Sequence, residues 1–338
     1  PAFGCRMSLM DRGFGSAGHA APGRDVVSAH QAGPACREVW LLQRHKTRQQ
    51  AFENANTARL ADALLAQGIA ARPVNPGWVD RTGGASQLRI GRRRLAPPSG
   101  LIGRSGSNTG AKARALSAML EAAGTAAFPT ARALALAGDK LSAGRLLSAA
   151  GLPVPDFEEI GPGTDAHALG RALGWPLVVK AARGSKGRSI RLVEGPEMLA
   201  KAISALIGQG PLMAQRFVAE SRGRDIRVMV IGGTAIGAMA REAVGADAFR
   251  ANIASGGRGR GIVLSPDIAR LAAAAARAAG LEIAGVDLLH AAEGFTVGEL
   301  NTAPGFVAFE AVTSIDVAAS IAVHVANRLN GAEGRRPC

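Results

Sequence analysis

The sequence predicts an α/β protein built from α+β lobes, and three observations carry that prediction. Short apolar runs of strand length alternate with stretches of helical period from residue 38 to about 329, the pattern of mixed helix and sheet layers. Gly and Pro fall between these runs, where chain reversals and helix ends are needed. Two late strand-like runs, Gly285-Val286-Asp287-Leu288-Leu289 and Val297-Gly298-Glu299-Leu300-Asn301, carry hard oxygen donors and are followed by Pro304-Gly305.

Residues 1–37 contain Gly, Ala, Arg and His in neither period and are expected to be a disordered extension. Gly13-Phe14-Gly15-Ser16-Ala17-Gly18 matches GxGxxG, but no strand precedes it and no helix follows, so it receives no nucleotide role. Residues 38–129 are expected to form an N-terminal α/β lobe. It would hold a strand at Glu38–Leu42, then a helix capped by Thr57 with Leu60, Ala61, Leu64 and Leu65 inward and Gly68 at its end, then a strand over 69–74. Residues 81–114 carry Arg81, Arg89, Arg92, Arg93, Arg94, Arg104, Lys112 and Arg114 without an acid. They read as a solvated loop, with an anion-facing patch as the alternative. A helix over 113–123 closes the lobe.

Residues 130–210 read as a smaller lobe. A helix over 134–150 stops at Gly151, with Pro153 and Pro155 beyond. A strand over 176–182, a Gly-rich turn and a strand over 189–193 make a hairpin flap, followed by a helix opened by Pro196. Residues 211–330 read as a larger lobe. Strands are expected over 212–218, 225–231 and 234–240, then a Gly- and Arg-rich loop over 245–261. A helix follows with Ser265 at its N-cap and Pro266 at N1, then strands over 283–289 and 295–300 and a helix over 315–329. Residues 331–338 are a tail.

Composition bounds the partners. The 338 residues are 47% hydrophobic, so a sizeable core is available. A net charge of +14 favours an anionic partner. The basic stretch lacks interleaved aromatics, so base stacking has no support and a nucleic-acid partner is not expected. Cys5, Cys36 and Cys338 are odd in number and lack metal-type spacing. They fit a reducing compartment, and the expectation is cytoplasmic. No apolar run reaches membrane length.

The chemistry-bearing residues are few. Glu299 and Asn301 flank Leu300, so period-2 alternation puts both on one strand face. With Asp287 they form an oxygen donor set suited to Mg²⁺; for Asp287 alone a solvated strand end reads equally well. Lys180 ends an apolar strand just before the glycine turn. It can meet a phosphate as a point charge, while amides from Gly184 through Ser185 to Gly187 hold other oxygens. The turn is not a Walker A, because no GxxxxGK[ST] occurs. Lys140 on a helix is a weaker candidate. Arg250 and Asn252, in Phe249-Arg250-Ala251-Asn252, or Arg241 at a strand end, could stabilise charge on a transferring phosphoryl group. Arg258 and Arg260 read as loop cations. Asp225 opens a strand and suits either a ribose contact or a strand-end cap. No GxSxG turn or reactive-looking Cys points to covalent catalysis by the protein.

From about residue 137 to 329 the chain resembles the ATP-grasp ligases, specifically the RimK-type glutamate ligases. The matching blocks come in order: Gly138-Asp139-Lys140-Leu141 with Gly151-Leu152-Pro153-Val154-Pro155; Pro176 to Lys180 with its flap; Gln215-Arg216-Phe217-Val218; Gly223-Arg224-Asp225-Ile226-Arg227; Phe249-Arg250-Ala251-Asn252; Gly285-Val286-Asp287; and Glu299-Leu300-Asn301-Thr302-Ala303-Pro304-Gly305. The resemblance implies an ATP-grasp fold behind an N-terminal α/β lobe, with ATP held between two lobes. It implies that Lys140 and Lys180 meet phosphates, that Gln215, Arg216, Phe217 and Val218 form the adenine hinge, and that Asp225 holds the ribose. Arg250 and Asn252 would lie at the γ-phosphate, and Asp287, Glu299 and Asn301 would hold Mg²⁺, or Mn²⁺ in its place. Where this family usually has an acid, Arg216 stands. The implied activity is ATP-dependent carboxylate–amine ligation, with glutamate favoured as amine donor, an acidic carboxylate as acceptor, and homo-oligomers common in the family. Alternatives are a ligase for another amine and an ATP-binding module without turnover.

Overall fold

The computed structural model describes residues 37–104, 110–184, 190–244 and 257–333. The expected disordered extension up to residue 36, the GxGxxG match, flap residues Ser185 and Gly187, the segment with Arg250 and Asn252, and the tail from 334 lie outside the described residues.

β1 (Glu38–Leu42) leads through α1 (Arg48–Glu53) and α2 (Ala55–Ala66) to β2 (Ala70–Val74). Three two-residue strands follow: β3 (Val79–Asp80), β4 (Arg89–Ile90) and β5 (Arg93–Arg94). Then come β6 (Gly100–Gly103), α3 (Gly110–Ala122) and β7 (Ala126–Phe128). The order β2-β1-β6-β7 makes a parallel sheet. Alternation along β1 explains its double burial. Val39 and Leu41 face α2, while Trp40 and Leu42 face Leu116 and Leu120 of α3. Part of the basic stretch is therefore ordered as an antiparallel sheet, β3-β4-β5, and not as a loop. The cap of α2 is Asn54, whose side chain accepts from the amides of Asn56 and Thr57. Thr57 is instead buried one turn in, donating to Gln43 at 2.7 Å. Leu65 lies outside the inward stripe, at 68% exposure.

The expected helix over 134–150 is two helices, α4 (Ala131–Ala137) and α5 (Lys140–Ala149). Each has its own cap: Thr130 accepts from Ala133 N, and Asp139 from Ser142 N. β8 (Phe157–Ile160) and α6 (Ala166–Leu173), which sequence reading missed, precede β9 (Leu177–Ala181), β10 (Ile190–Val193), α7 (Pro196–Leu206) and β11 (Leu212–Arg216). The antiparallel sheet β10-β9-β11-β8 is backed by Leu169, Leu173, Leu199 and Ile203 of α6 and α7.

The last sheet has the order β14-β13-β12-β15-β16, all antiparallel. Its strands are β12 (Arg224–Ile231), β13 (Thr234–Glu242), β14 (Arg258–Ile262), β15 (Ile283–His290) and β16 (Phe295–Asn301). Arg258 and Arg260 thus sit on an edge strand, not in a loop. α8 (Pro266–Ala278) covers one face through Ile226, Val228, Val230, Val286 and Leu288. The other face packs Met229, Ile231, Met239 and Ile283 against α9 (Val307–Thr313), α10 (Val317–Glu333), α2 and β1 in a single core. No single helix among the described residues is long and apolar enough to cross a membrane.

Candidate active site

The sheet face that packs against α9 and α10 changes character along its strands. On β12, Met229 and Ile231 are apolar and buried, whereas Arg227 and Asp225, two and four residues back, carry charge on the same face. Arg227 pairs in register with Asp287 on β15, and Asp287 with Glu299 on β16. The guanidinium of Arg227 holds Asp287 in a fork, Nε to Oδ1 at 2.7 Å and Nη2 to Oδ2 at 2.7 Å. Arg241 of β13 grips Asp225 the same way, both contacts 2.6 Å, and its Nη2 also lies 3.0 Å from Asp287 Oδ2. Asn301 Nδ2 donates to Asp287 Oδ2 at 3.1 Å. Gly285 leaves room for this: a Cβ there would stand 3.0 Å from Pro304 Cβ and 3.6 Å from Arg227 Nε.

Electrostatics separate the two aspartates. Burial opposes the charge on Asp287, but the two guanidiniums overcome it and hold the carboxyl down at about 2. Asp225 is pushed up to about 6, first by burial and then by the negative charge of Asp287, with Arg241 pulling the other way. Two cations against two carboxylates make a nearly neutral buried cluster, the arrangement under which such charges are tolerated.

The lysines approach from the other lobe. Asp139 caps α5 and, through Arg183 Nε at 2.9 Å, ties it to the chain after β9. Lys140 follows at the first helical position. Its Nζ donates to Gly184 O at 3.1 Å and lies 3.3 Å from Glu299 Oε1. Lys180 on β9 is 7% exposed and donates to Gln215 Oε1 at 2.8 Å. Burial pushes its pKa down to about 8, with the Glu299 charge opposing and Lys140 adding to the shift.

Six candidate residues from the sequence therefore form two connected groups: Asp225, Arg241, Asp287 and Asn301 in one, Lys140 and Glu299 in the other, with Lys180 held by Gln215 beside the second. Arg227 was missed; its spacing of two from Asp225, opposite Asp287, is the signal that could have found it. Asp225 has both oxygens on Arg241, so it is an ion-pair partner here and not an open strand cap. At the hinge, Arg216 N donates to Asp156 O at 2.8 Å and Phe217 N to Pro176 O at 3.2 Å. The Arg216 side chain pairs with Asp156 at 2.9 Å, and Phe217 lies under Arg222 with its ring centroid 4.8 Å from Cζ. His290 stacks on Phe295 and meets no member of the cluster.

By chemistry the set suits a hard cation: Asp287, Glu299 and Asn301 on adjacent strands carry two carboxylates and a carboxamide oxygen. Here Asp287 is held by Arg227, Arg241 and Asn301 Nδ2, and Glu299 by Lys140. Among the described residues no three His, Cys, Asp or Glu side chains assemble into a metal cage. Two carboxylates and a carboxamide leave the remaining positions to phosphate and water, the habit of Mg²⁺.

Comparison with known proteins identifies the family and the fold. Residues 137–325 match the family model of the RimK-like ATP-grasp domain. A probable alpha-L-glutamate ligase 2 of Shewanella sp. strain MR-4 is 31% identical over 277 residues, spanning 80% of this chain and 92% of that protein. Among solved structures, the RimK domain ATP-grasp protein of Sphaerobacter thermophilus aligns with a TM-score of 0.65 at 20% identity, over 85% of this chain and 98% of the other. The ATP-grasp ligase PsnB, complexed with a minimal precursor, Mg and ADP, aligns with a TM-score of 0.63 at 22% identity, over 90% and 99%.

Proposed function

The chain belongs to the RimK-like ATP-grasp family, an ATP-dependent ligase family, and on that premise we propose that it adds an amino acid, glutamate by preference, to a peptide or metabolite carboxylate. The observation that carries this reading is the meeting of Lys140 and Glu299 at 3.3 Å. It brings a cation suited to phosphate from one lobe onto the strand of oxygen donors from the other. Glutamate is favoured because the relatives are named glutamate ligases, and a peptide acceptor because the PsnB structures hold a precursor peptide.

The reaction asks little covalent chemistry of the protein. A carboxylate oxygen attacks the γ-phosphorus, the bond to the β–γ bridging oxygen breaks, and ADP leaves an acyl phosphate. The amine nitrogen then attacks the acyl carbon, phosphate departs, and the amine proton passes to solvent. Lys140 and Lys180 are assigned to nucleotide phosphates, Lys180 as a charge in a dry setting where it acts strongly. Asp287, Glu299 and Asn301 would hold Mg²⁺, whose charge offsets that of the phosphates during transfer; Mn²⁺ suits the same oxygens. Arg227 and Arg241, which hold Asp287 here, are assigned to phosphoryl oxygens of the bound nucleotide. Arg250 and Asn252 are assigned to the γ-phosphate by their motif. Two hinge amides are already spent, so adenine would draw on the remaining backbone groups near Val218. Asp225 is assigned to Arg241, fixing its guanidinium, in preference to the ribose.

The test is mass spectrometry of products, with ADP release, after incubation with ATP, Mg²⁺, the twenty amino acids and acidic peptides. A mass increment of one or more glutamyl residues is expected. Asp287→Asn and Glu299→Gln should each slow ADP release by at least about 10- to 100-fold, the effect of disturbing even the outer partners of a metal site. Either variant releasing ADP at the parent rate would overturn the assignment.

A further inference from the structure

The N-terminal sheet carries a part-buried cation, Arg104, that meets no anion among the described residues. The sheet runs β2-β1-β6-β7, all parallel. The chain moves outward from β1 to β2, then returns to the other side of β1 for β6 and β7. The direction therefore reverses between β1 and β6. In open parallel sheets such a reversal opens a crevice outside the carboxyl ends of the two strands, and ligands bind there. Arg104 stands at that point: it follows β6 directly, and its backbone N donates to Leu42 O, the end of β1, at 2.8 Å.

The side chain of Arg104 is under-satisfied. Nη1 donates to Pro304 O at 3.2 Å, and Cζ lies 5.3 Å from the Phe306 ring centroid. Nε is buried with no hydrogen-bond partner, the one such side-chain atom among the described residues. No carboxylate among the described residues pairs with it, whereas the buried Arg241 and the part-buried Arg227 each hold a forked carboxylate. Burial lowers its pKa to about 10, which leaves it charged at neutral pH. A buried guanidinium without an anion is costly. The turn that receives it is fixed from the same lobe: Asn56 Oδ1 accepts from Phe306 N at 2.6 Å and Val307 N at 3.1 Å. Pro304 is three residues past Asn301, so the guanidinium lies at the exit of the strand that carries the oxygen donors.

We propose that Arg104, at the switch point of the N-terminal sheet, binds a non-reacting carboxylate of the substrate, foremost the α-carboxylate of the amine-donating amino acid. This rests on the ligase reading. A carboxylate under activation gives its charge to the phosphoryl chemistry. The co-substrate's other carboxylate needs a cation of its own, away from the Asp287 cluster, and the planar fork of Arg suits it.

The test is calorimetric titration of the full chain, saturated with Mg²⁺ and a non-hydrolysable ATP analogue, using L-glutamate and L-glutamate α-amide. Wild type should bind glutamate about tenfold or more tightly than the amide, the worth of one charge-assisted contact. Arg104→Met should lose that preference, Arg104→Lys should regain part of it, and both should bind nucleotide as wild type does. Arg104→Met should also melt no lower than wild type, because it removes an uncompensated charge; an arginine kept for structure would lower the melting point. Unchanged glutamate preference in Arg104→Met, or no preference for glutamate over the amide in wild type, overturns the proposal. These readouts need no turnover, so absence of ADP release would count against the ligase reading alone.

Discussion

Lys180 shows how one residue can hold function and cost together. Its ammonium is sealed between β9 and β11, donating to Gln215 Oε1, and burial takes its pKa down to about 8 from 10.5. Phosphate beside it favours the charged form, so binding must restore a proton wherever the free protein has lost one. The sign follows: affinity for ADP is flat below about pH 7 and weakens as pH rises through 8, by about tenfold per unit until the bound-state pKa is reached. Lys180→Arg, which keeps its charge throughout, should flatten the profile. Titration calorimetry in buffers of different ionisation enthalpy should show proton uptake near pH 8.5. A wild-type profile that stays level from pH 7 to 9.5 would remove Lys180 from the phosphates. At this scale the sequence was informative about single residues and silent about their pairing. Lys180 stood out because a lysine ends an apolar run. Arg227 did not, because its partner lies sixty residues away across a strand pair. Arg104 was one cation among eight in an acid-free stretch, and only the fold separates it from its solvated neighbours.

Elements were readable where local chemistry decides them and hidden where a distant surface does. Ser265 and Pro266 announce α8, and the structure has Ser265 Oγ accepting from Ile268 N. Asn54 and Asp139 are equally good caps, yet Thr57 and an unbroken helical period drew attention away from them. β14 is the instructive miss. Its Arg-Gly-Arg-Gly-Ile sequence has the composition of a loop, but the glycine serves close packing: a Cβ on Gly261 would stand 2.4 Å from Val312 O at the end of α9. Backbone cannot rotate aside as a side chain can. Gly261→Ala should therefore cost about 1–3 kcal/mol, the range for overpacking, read as a lower midpoint in urea with the slope unchanged. A midpoint equal to wild type would mean that β14 and α9 are not in firm contact. The flap hairpin was legible for the opposite reason, since β9 and β10 are near neighbours in sequence that pair antiparallel and need no remote surface to be recognised.

The molecule as a whole is organised by one sheet face that is apolar at one end and charged at the other. Met229, Ile231, Met239 and Ile283 at the apolar end share a core with Val39 and Leu41 of β1, Leu60 and Leu64 of α2, and Val317, Ile321 and Val325 of α10. Asp225, Arg227 and Asp287 continue that face into the site. The lobes inferred from residues 38–129 and 211–330 thus share hydrophobic contacts that no local pattern reveals. α10, last in sequence, packs against α2, near the start of the first lobe. This coupling suits the proposed chemistry, in which Arg104 on one lobe would hold a substrate carboxylate and Asn301 on the other would help hold the metal, at a fixed separation. Ile321, 1% exposed, lies in that shared core. Ile321→Ala should cost about 2–5 kcal/mol, the range for emptying a buried isoleucine site. If the two lobes fold as one unit, hydrogen exchange at the amides of β1 and β12 should accelerate together and by the same factor, because both are exposed in the same opening event. Acceleration confined to α10 and one of the two sheets would instead show separable lobes, and the fixed spacing between Arg104 and the oxygen donors would then have to come from bound substrate.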